Sequence, residues 1–491
     1  MRNALFGAFL LLFELGNAQV YFNNVYDFNE EQQFAKGVEI GNDSNYIILT
    51  ATNDIFNIYQ GLLLMEINQT GSLVSQVYHY DSVLNYFQEL SGSLYKLSSN
   101  FFYSGGSYHN QITADANVIL IFYNAELDTF SIVEYPSNTY DVCTSSSPTK
   151  DKGIVMIGQT ATSATSGNPD WIIYRVDSNY NLLWTKTYGS GLYDLGVEIF
   201  EDANKNIIAS GIKNLTISNE TTWILKLDSD GNLIDQKEFD FDPYRCTEGR
   251  FTFLNENYLM CGCLDTVYNV NDNPHPVYVA RLDTNFNVVW RSDFHGPEVR
   301  AISHVRQLSD SSIVFIGEKG NLGDVPLGWI VKLDKNGNTL WERTYYKSQT
   351  IDNYFADFQQ TYDKGFIVTG SAFGPTQDVW LVKLDSMGCL DPNDCTFNTG
   401  TIEVGQEAIS FNVFPNPASS YLNLLYNIPV TATDAVISMN DLSGRLINQL
   451  QANPSTNETI VDVSQWNNGM YLCTLEIAGQ KMKSVKVLVI H

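Results

Sequence analysis

The chain has 491 residues, 44% hydrophobic and 13% aromatic, and its 28 Lys and Arg against 55 Asp and Glu leave a net charge of −27. That excess of acid excludes DNA, RNA and anionic membrane surfaces as main partners, because binding phosphate needs clustered Lys and Arg. The apolar content excludes a disordered acidic tail, and abundant Tyr and Phe, with Asn and Ser between short apolar runs, favour strands over helices.

Residues 1–18 have the three parts of a secretory signal: Arg2 near the start, an apolar run from Ala4 to Phe13, and the small residues Gly16 and Ala18 before a cut. Cleavage after Ala18 leaves Gln19 first. The run is too short for a bilayer span of about 20 residues, and no later segment is apolar enough. The expectation is an exported chain without a transmembrane span.

From residue 62 onward one pattern returns. Trp329-Ile-Val-Lys-Leu-Asp334-Lys-Asn-Gly-Asn-Thr-Leu-Trp341 has relatives at Ile172–Asp177 with Trp184, Trp223–Asp228, Tyr278–Asp283 with Trp290, and Trp380–Asp385. Asn68 and Asn124 hold the anchor position in two weaker copies. The anchors 68, 124, 177, 228, 283, 334 and 385 lie 51 to 56 residues apart. Apolar strands ending at Gly105, Gly158, Gly211, Gly262, Gly317 and Gly370 run in step. Asn and Gly after the Asp supply the positive φ of a tight hairpin.

A strand-only unit of about 50 residues is a propeller blade. The expected fold is all-β: a seven-bladed β-propeller over residues 19–395, then a linker at 396–407 and a small Ig-like β-sandwich at 408–491. The last copy stops after Asp385, and a lone strand-like piece, Val20 to Phe28, precedes the first. That piece is expected to complete the last blade. Trp171 lies six residues before its Asp rather than five, and a shift by one turns a side chain to the other face.

Export permits disulfides. Of seven cysteines, Cys389 and Cys395 bracket a short Pro-containing loop and make a plausible local bridge, while Cys246 has Cys261 and Cys263 as alternatives. No cofactor is expected. Asp228, Asp230 and Asn232 alternate as in a calcium loop, but without the acidic ligand that should follow, and turn geometry explains them without a metal. There is no HExxH, GxSxG or GxxxxGK[ST], and Gly105-Gly-Ser-Tyr-His109 lacks the second glycine of a nucleophile elbow. No catalytic residue stands out.

The segment after the linker carries Phe414-Pro415-Asn416-Pro417-Ala418, Asp441-Leu442-Ser443-Gly444-Arg445, Asn468-Gly469-Met470-Tyr471 and a basic end containing Lys481, Lys483 and Lys486. With these motifs in this order, it resembles the type A C-terminal sorting domain of the type IX secretion system of Bacteroidota. The resemblance implies Sec export, recognition by the type IX machinery, and release or attachment at the outer surface. It covers about 80 residues and says nothing about the cargo. The repeats themselves resemble the Lys-Leu-Asp-x-x-Gly-Asn-x-x-Trp propeller repeats of such cargo, a group without one agreed activity.

For the cargo, the expectation is a binding protein whose loops take a glycan, peptide or protein. The alternative is a secreted hydrolase of polysaccharide, which requires two carboxylates about 5–10 Å apart in a central pocket.

Overall fold

The computed structural model describes residues 20–28, 32–53, 60–81, 83–88, 94–98, 101–124, 127, 130–163, 167–216, 219–241, 244–254, 257–266, 276–295, 298–321, 325–347, 352–373, 376–390, 410–414, 416–428, 435–441, 445–453, 458–477 and 480–491. The regular elements among them are all strands. The chain divides into two compact units, Met1–Thr399 and Gly400–His491.

The larger unit is built of four-stranded antiparallel meanders. The first comprises Gln32–Ile40, Tyr46–Asn53, Gln60–Ile67 and Leu73–His79. The next spans 84–135, with its opening strand in two pieces, Leu84–Gln88 and Tyr95–Ser98, both paired to Phe101–Asn110. The same order then runs through 140–188, 195–241, 244–294 and 298–345. The last meander takes Asn353–Gln360, Phe366–Phe373 and Gln377–Leu384, and its fourth strand is Phe22–Tyr26 from the other end of the chain. That strand pairs antiparallel from Phe22 opposite Lys383 to Tyr26 opposite Val379.

Each meander packs on its successor, and the last packs on the first. The unit is therefore propeller-like. Packing on both faces explains the sequence: second strands such as Ile313–Gly317 read as unbroken apolar runs because both faces are covered. Val314 and Ile316 meet Phe355, Val368 and Trp380 of the last meander, whereas Ile313 and Phe315 meet Leu259 and Val279 of the preceding one. The closing seam buries Phe22, Val38, Ile48 and Met65 with Ile367, Val379 and Leu381.

The recurrent glycines have a steric cause. In four meanders the opening strand carries a bulge and the glycine of the second strand lies against it: Gly158 pairs with Cys143, Gly211 with Gly196, Gly317 with Ile302 and Gly370 with Phe355. A Cβ on Gly317 would run into the carbonyl oxygen of Ala301, and one on Gly370 into that of Tyr354. The bulged residue can then reach outward. Thr144 Oγ1 donates to the Gly196 carbonyl of the next meander at 2.6 Å.

Trp171 does face the other way. Trp223, Trp329 and Trp380 stand opposite the strand glycine or its equivalent and pack on the preceding meander. In the 140–188 meander Ile172 takes that place. Trp171 instead points forward, donates from Nε1 to the Ile212 carbonyl at 3.0 Å and lies 4.8 Å from the Trp223 ring.

The smaller unit is a two-sheet sandwich. Ser410–Phe414, Tyr421–Asn427 and Glu458–Asp462 form one sheet; Leu446–Gln451, Val436–Asp441, Gly469–Ile477 and Gln480–Val489 form the other. Between them lie Phe411, Leu422, Leu424, Ile437, Met439, Leu475 and Val487.

Candidate functional site

The two ends of the larger unit differ. Asp177, Asp228, Asp283 and Asp334 each open a five-residue turn in which the carboxylate accepts the amides two and four residues on and the side-chain amide of the Asn four residues on. The residue three positions on takes positive φ, whether Gly231 and Gly337 or Tyr180 and Phe286. These bonds, led by the Asn side chain at Asp177 and Asp334 and by the Asn amide at Asp228 and Asp283, hold the four carboxyls below the usual range. In the Asp228-Ser-Asp230-Gly-Asn232 segment, whose alternation resembles a calcium loop, the Asp228 oxygens are thus engaged within the turn. Among the described residues no group of three His, Cys, Asp or Glu is placed to hold a metal ion.

The same turns latch neighbouring meanders. Tyr188 donates to the carbonyl of Gly231 at 2.5 Å and Ser292 to that of Gly337 at 2.6 Å; Tyr345 donates to Gly388. Trp184 and Trp290 reach the same turns through Ser229 and Lys335. The repeated Trp therefore serves the neighbouring sheet. Phe22–Tyr26 does likewise, since Tyr26 donates to Gly71.

Inside this end, the opening strands converge on a cavity of about 100 Å³ lined by Tyr95, Ser146, Ser147, Glu198, Phe200, Thr252, His304 and Arg306. Ser147, Phe200, Thr252 and Arg306 come from four successive meanders and lie 53, 52 and 54 residues apart. Ser146 is 1% exposed, and its Oγ has no hydrogen-bond partner among the described residues. Glu198 accepts from Ser145 Oγ at 2.7 Å. Among the described lining residues it is the one carboxylate.

Beside the cavity, Asp357 is fully buried and accepts from Arg306 Nη2 at 2.9 Å and from the Val38 amide at 3.0 Å. It thereby ties the last meander to both neighbours. Gln359 donates to Glu39 at 3.0 Å. Burial pushes the Glu39 carboxyl up to about 7, Asp357 adds to this, and Arg306 and Lys96 oppose it. None of these residues stood out by motif. Their signal is positional: inner-strand residues recur at the period of the repeat.

In the smaller unit, Asn416 joins the first sheet's approach to the last strand. Its amide donates to the Lys486 carbonyl and its oxygen accepts the Leu488 amide, both at 2.9 Å. The Asn416–Pro417 peptide is cis. Asp441 accepts from the Arg445 amide and from Arg445 Nε, each at 3.1 Å, which closes the hairpin. Gly469 opens the strand carrying Tyr471, and Tyr471 donates to the Asn467 carbonyl at 2.8 Å. Lys481, Lys483 and Lys486 lie on the last strand. The structure thus brings Asn416 to Lys486 and Asp441 to Arg445, whereas Pro415 and Gly444 lie outside the described residues.

Cys389 is buried, and its expected partner Cys395 lies outside the described residues. The register sets Leu264, not Cys261 or Cys263, opposite Cys246. Cys473 is a buried thiol whose pKa burial pushes up to about 12. The secretory signal also lies outside the described residues. No helix among the described residues is long and apolar enough to cross a membrane.

Residues 412–491 match the family described as the secretion system C-terminal sorting domain. This module marks the chain for type IX secretion to the cell surface or the extracellular space. The secretion machinery is its partner on that route. The comparison with curated proteins finds no match. Among solved structures, the chain is similar to the β-propeller domain of the Trilobed protease from Pyrococcus furiosus (8% identity, 74% of this chain and 99% of that one, TM-score 0.43). It is also similar to a neuraminidase-like protein from A/bat/Guatemala/164/2009 (11% identity, 62% and 92%, TM-score 0.39). A third is the acylaminoacyl peptidase of Pyrococcus horikoshii (9% identity, 81% and 58%, TM-score 0.42).

Proposed function

We propose that the chain is an exported binding protein: a seven-bladed propeller closed by its N-terminal strand, presenting ligand-binding loops, and carried outward by an Ig-like sorting domain. In this reading residues 1–18 are a removed signal, 19–395 the ring with a Cys389–Cys395 bridge, and 396–407 the linker.

One observation carries the binding assignment. From the Asn68 turn to the Asp334 turn, every connection between third and fourth strands has five residues, whereas connections between second and third strands range from two (217–218) to ten (267–276). A constant end serves the scaffold, and variable connections on a rigid frame are where recognition resides. The test is an array of glycans and peptides probed with the full mature chain, followed by replacement of 267–276 with Asn-Gly. Binding that the replacement abolishes, with the melting curve kept, is the expected result. Absence of any ligand, or binding indifferent to every such replacement, overturns the assignment.

A further inference from the structure

A second cavity lies at the constant end, on the seam where the last meander meets the first. It measures about 120 Å³ and is lined by Ile40, Ser44, Tyr46, Gln69, Thr361, Tyr362 and Asp363. Ile40 and Tyr46 come from strand ends, and three separate turns supply the rest: Ser44 from the turn after Gln32–Ile40, Gln69 from the Asn68 turn, and Thr361 to Asp363 from the turn after Asn353–Gln360.

Two features set its chemistry. Tyr362 is 72% exposed at the edge, so it offers an aromatic surface that the fold itself does not use. The charges within are already matched: Asp363 takes Lys383 Nζ at 2.7 Å and also accepts from Thr361 and from the Gly365 amide, while Lys383 lies over the Tyr21 ring. Tyr46 is buried, and its hydroxyl is a neutral group at pH 7; burial, reinforced by Asp363, raises its pKa further. A neutral, hydrogen-bonding hollow beside an exposed aromatic does not select an ion. It suits a molecule with one apolar face and a rim of hydroxyls.

We propose that this seam cavity is a subsite for a neutral sugar, whose ring face stacks on Tyr362 while its hydroxyls meet Gln69, Ser44 and the Tyr46 hydroxyl. The volume admits part of one sugar ring, so the ligand is the end or one residue of a longer glycan. The subsite lies at the opposite end from the variable connections and is independent of them.

The test is titration calorimetry of the full mature chain with cellohexaose, xylohexaose, maltohexaose and chitohexaose, with hexagalacturonate as a charged comparison. At least one neutral hexasaccharide should bind. Tyr362→Ala should weaken it about tenfold or more through loss of ring stacking, while Tyr362→Phe should stay within about threefold. Gln69→Ala should weaken it less than Tyr362→Ala. Tyr362 is exposed enough for both variants to fold, which an unchanged melting curve verifies. Binding of no neutral sugar, binding of hexagalacturonate alone, or full binding by Tyr362→Ala overturns the proposal. A sugar lost on replacing 267–276 but kept by Tyr362→Ala would place recognition at the variable end and remove the seam subsite only.

Discussion

The Tyr26 hydroxyl donates to the Gly71 carbonyl at 2.7 Å, and Asn24 Nδ2 reaches the same oxygen at 3.1 Å. Tyr188 and Tyr345 make the equivalent bond to Gly231 and Gly388 from ordinary fourth strands. The N-terminal strand therefore does the work of a fourth strand and carries the latch from the last meander to the first.

Removing residues 19–28 should destabilise the larger unit by about 3 kcal/mol or more, because buried Phe22 is lost along with a strand ladder. Tyr26→Phe should cost about 1 kcal/mol, the worth of one hydrogen bond. Thermal melting checks both. An unchanged curve for the deletion would discard the closure.

Gly317→Ala should destabilise by about 3 kcal/mol, since its Cβ meets a backbone oxygen that can move only with the bulge. Gly167→Ala is the control: its backbone is not in the positive-φ region, and its Cβ would meet nothing within 4 Å. Urea midpoints should show the larger loss at Gly317.

Glu39 should give the unit a recognisable pH dependence. Its carboxyl binds a proton more tightly when folded, at about 7 against 4.5. Its contribution is therefore fully present below pH 4.5 and is lost as pH rises through about 7. Glu39→Gln should flatten stability between pH 5 and 8 in urea titrations. The turn aspartates run oppositely: their lowered pKa values support the fold above the unfolded value, near 4, and that support is lost as pH falls through the folded values. A wild-type midpoint that rises steadily from pH 5 to 8 would contradict the Glu39 assignment.

Asn416→Ala should loosen the last strand of the smaller unit by about 1–2 kcal/mol through two lost hydrogen bonds. Exported protein should fall and periplasmic protein accumulate, as read by fractionation and immunoblotting. Tyr421→Ser, at an exposed position of the other sheet, should leave the melting point of the unit unchanged.

Trp171→Ala should cost about 3–5 kcal/mol, as for other large aromatic truncations. Part of that loss is coupled to Trp223. A double-mutant cycle between them should show an interaction of about 0.5 kcal/mol or more, whereas Trp171 with Trp329 should be additive.

What the sequence determined by itself is what neighbouring residues decide among themselves. An Asp with an Asn four positions on closes a turn through its own carboxylate, so the turns at Asp177 and Asp334 were legible before any sheet was seen. The sorting motifs at the C-terminus were legible through their resemblance to a known family, although not that Asn416 fastens a strand 70 residues away. The one-residue offset of Trp171 signalled a changed face but not its partner. Tertiary structure alone decided the rest. The glycines had no visible purpose until bulged strands lay across them. The Val38–Asp357 bond spans 319 positions and exists only because the ring brings the first meander against the last. Glu39 and the seam at Tyr362 depend on that same closure, and Arg306 on the packing of the last meander against the one before it. Burial and partner choice at these residues are set by packing between distant segments, which no local pattern encodes.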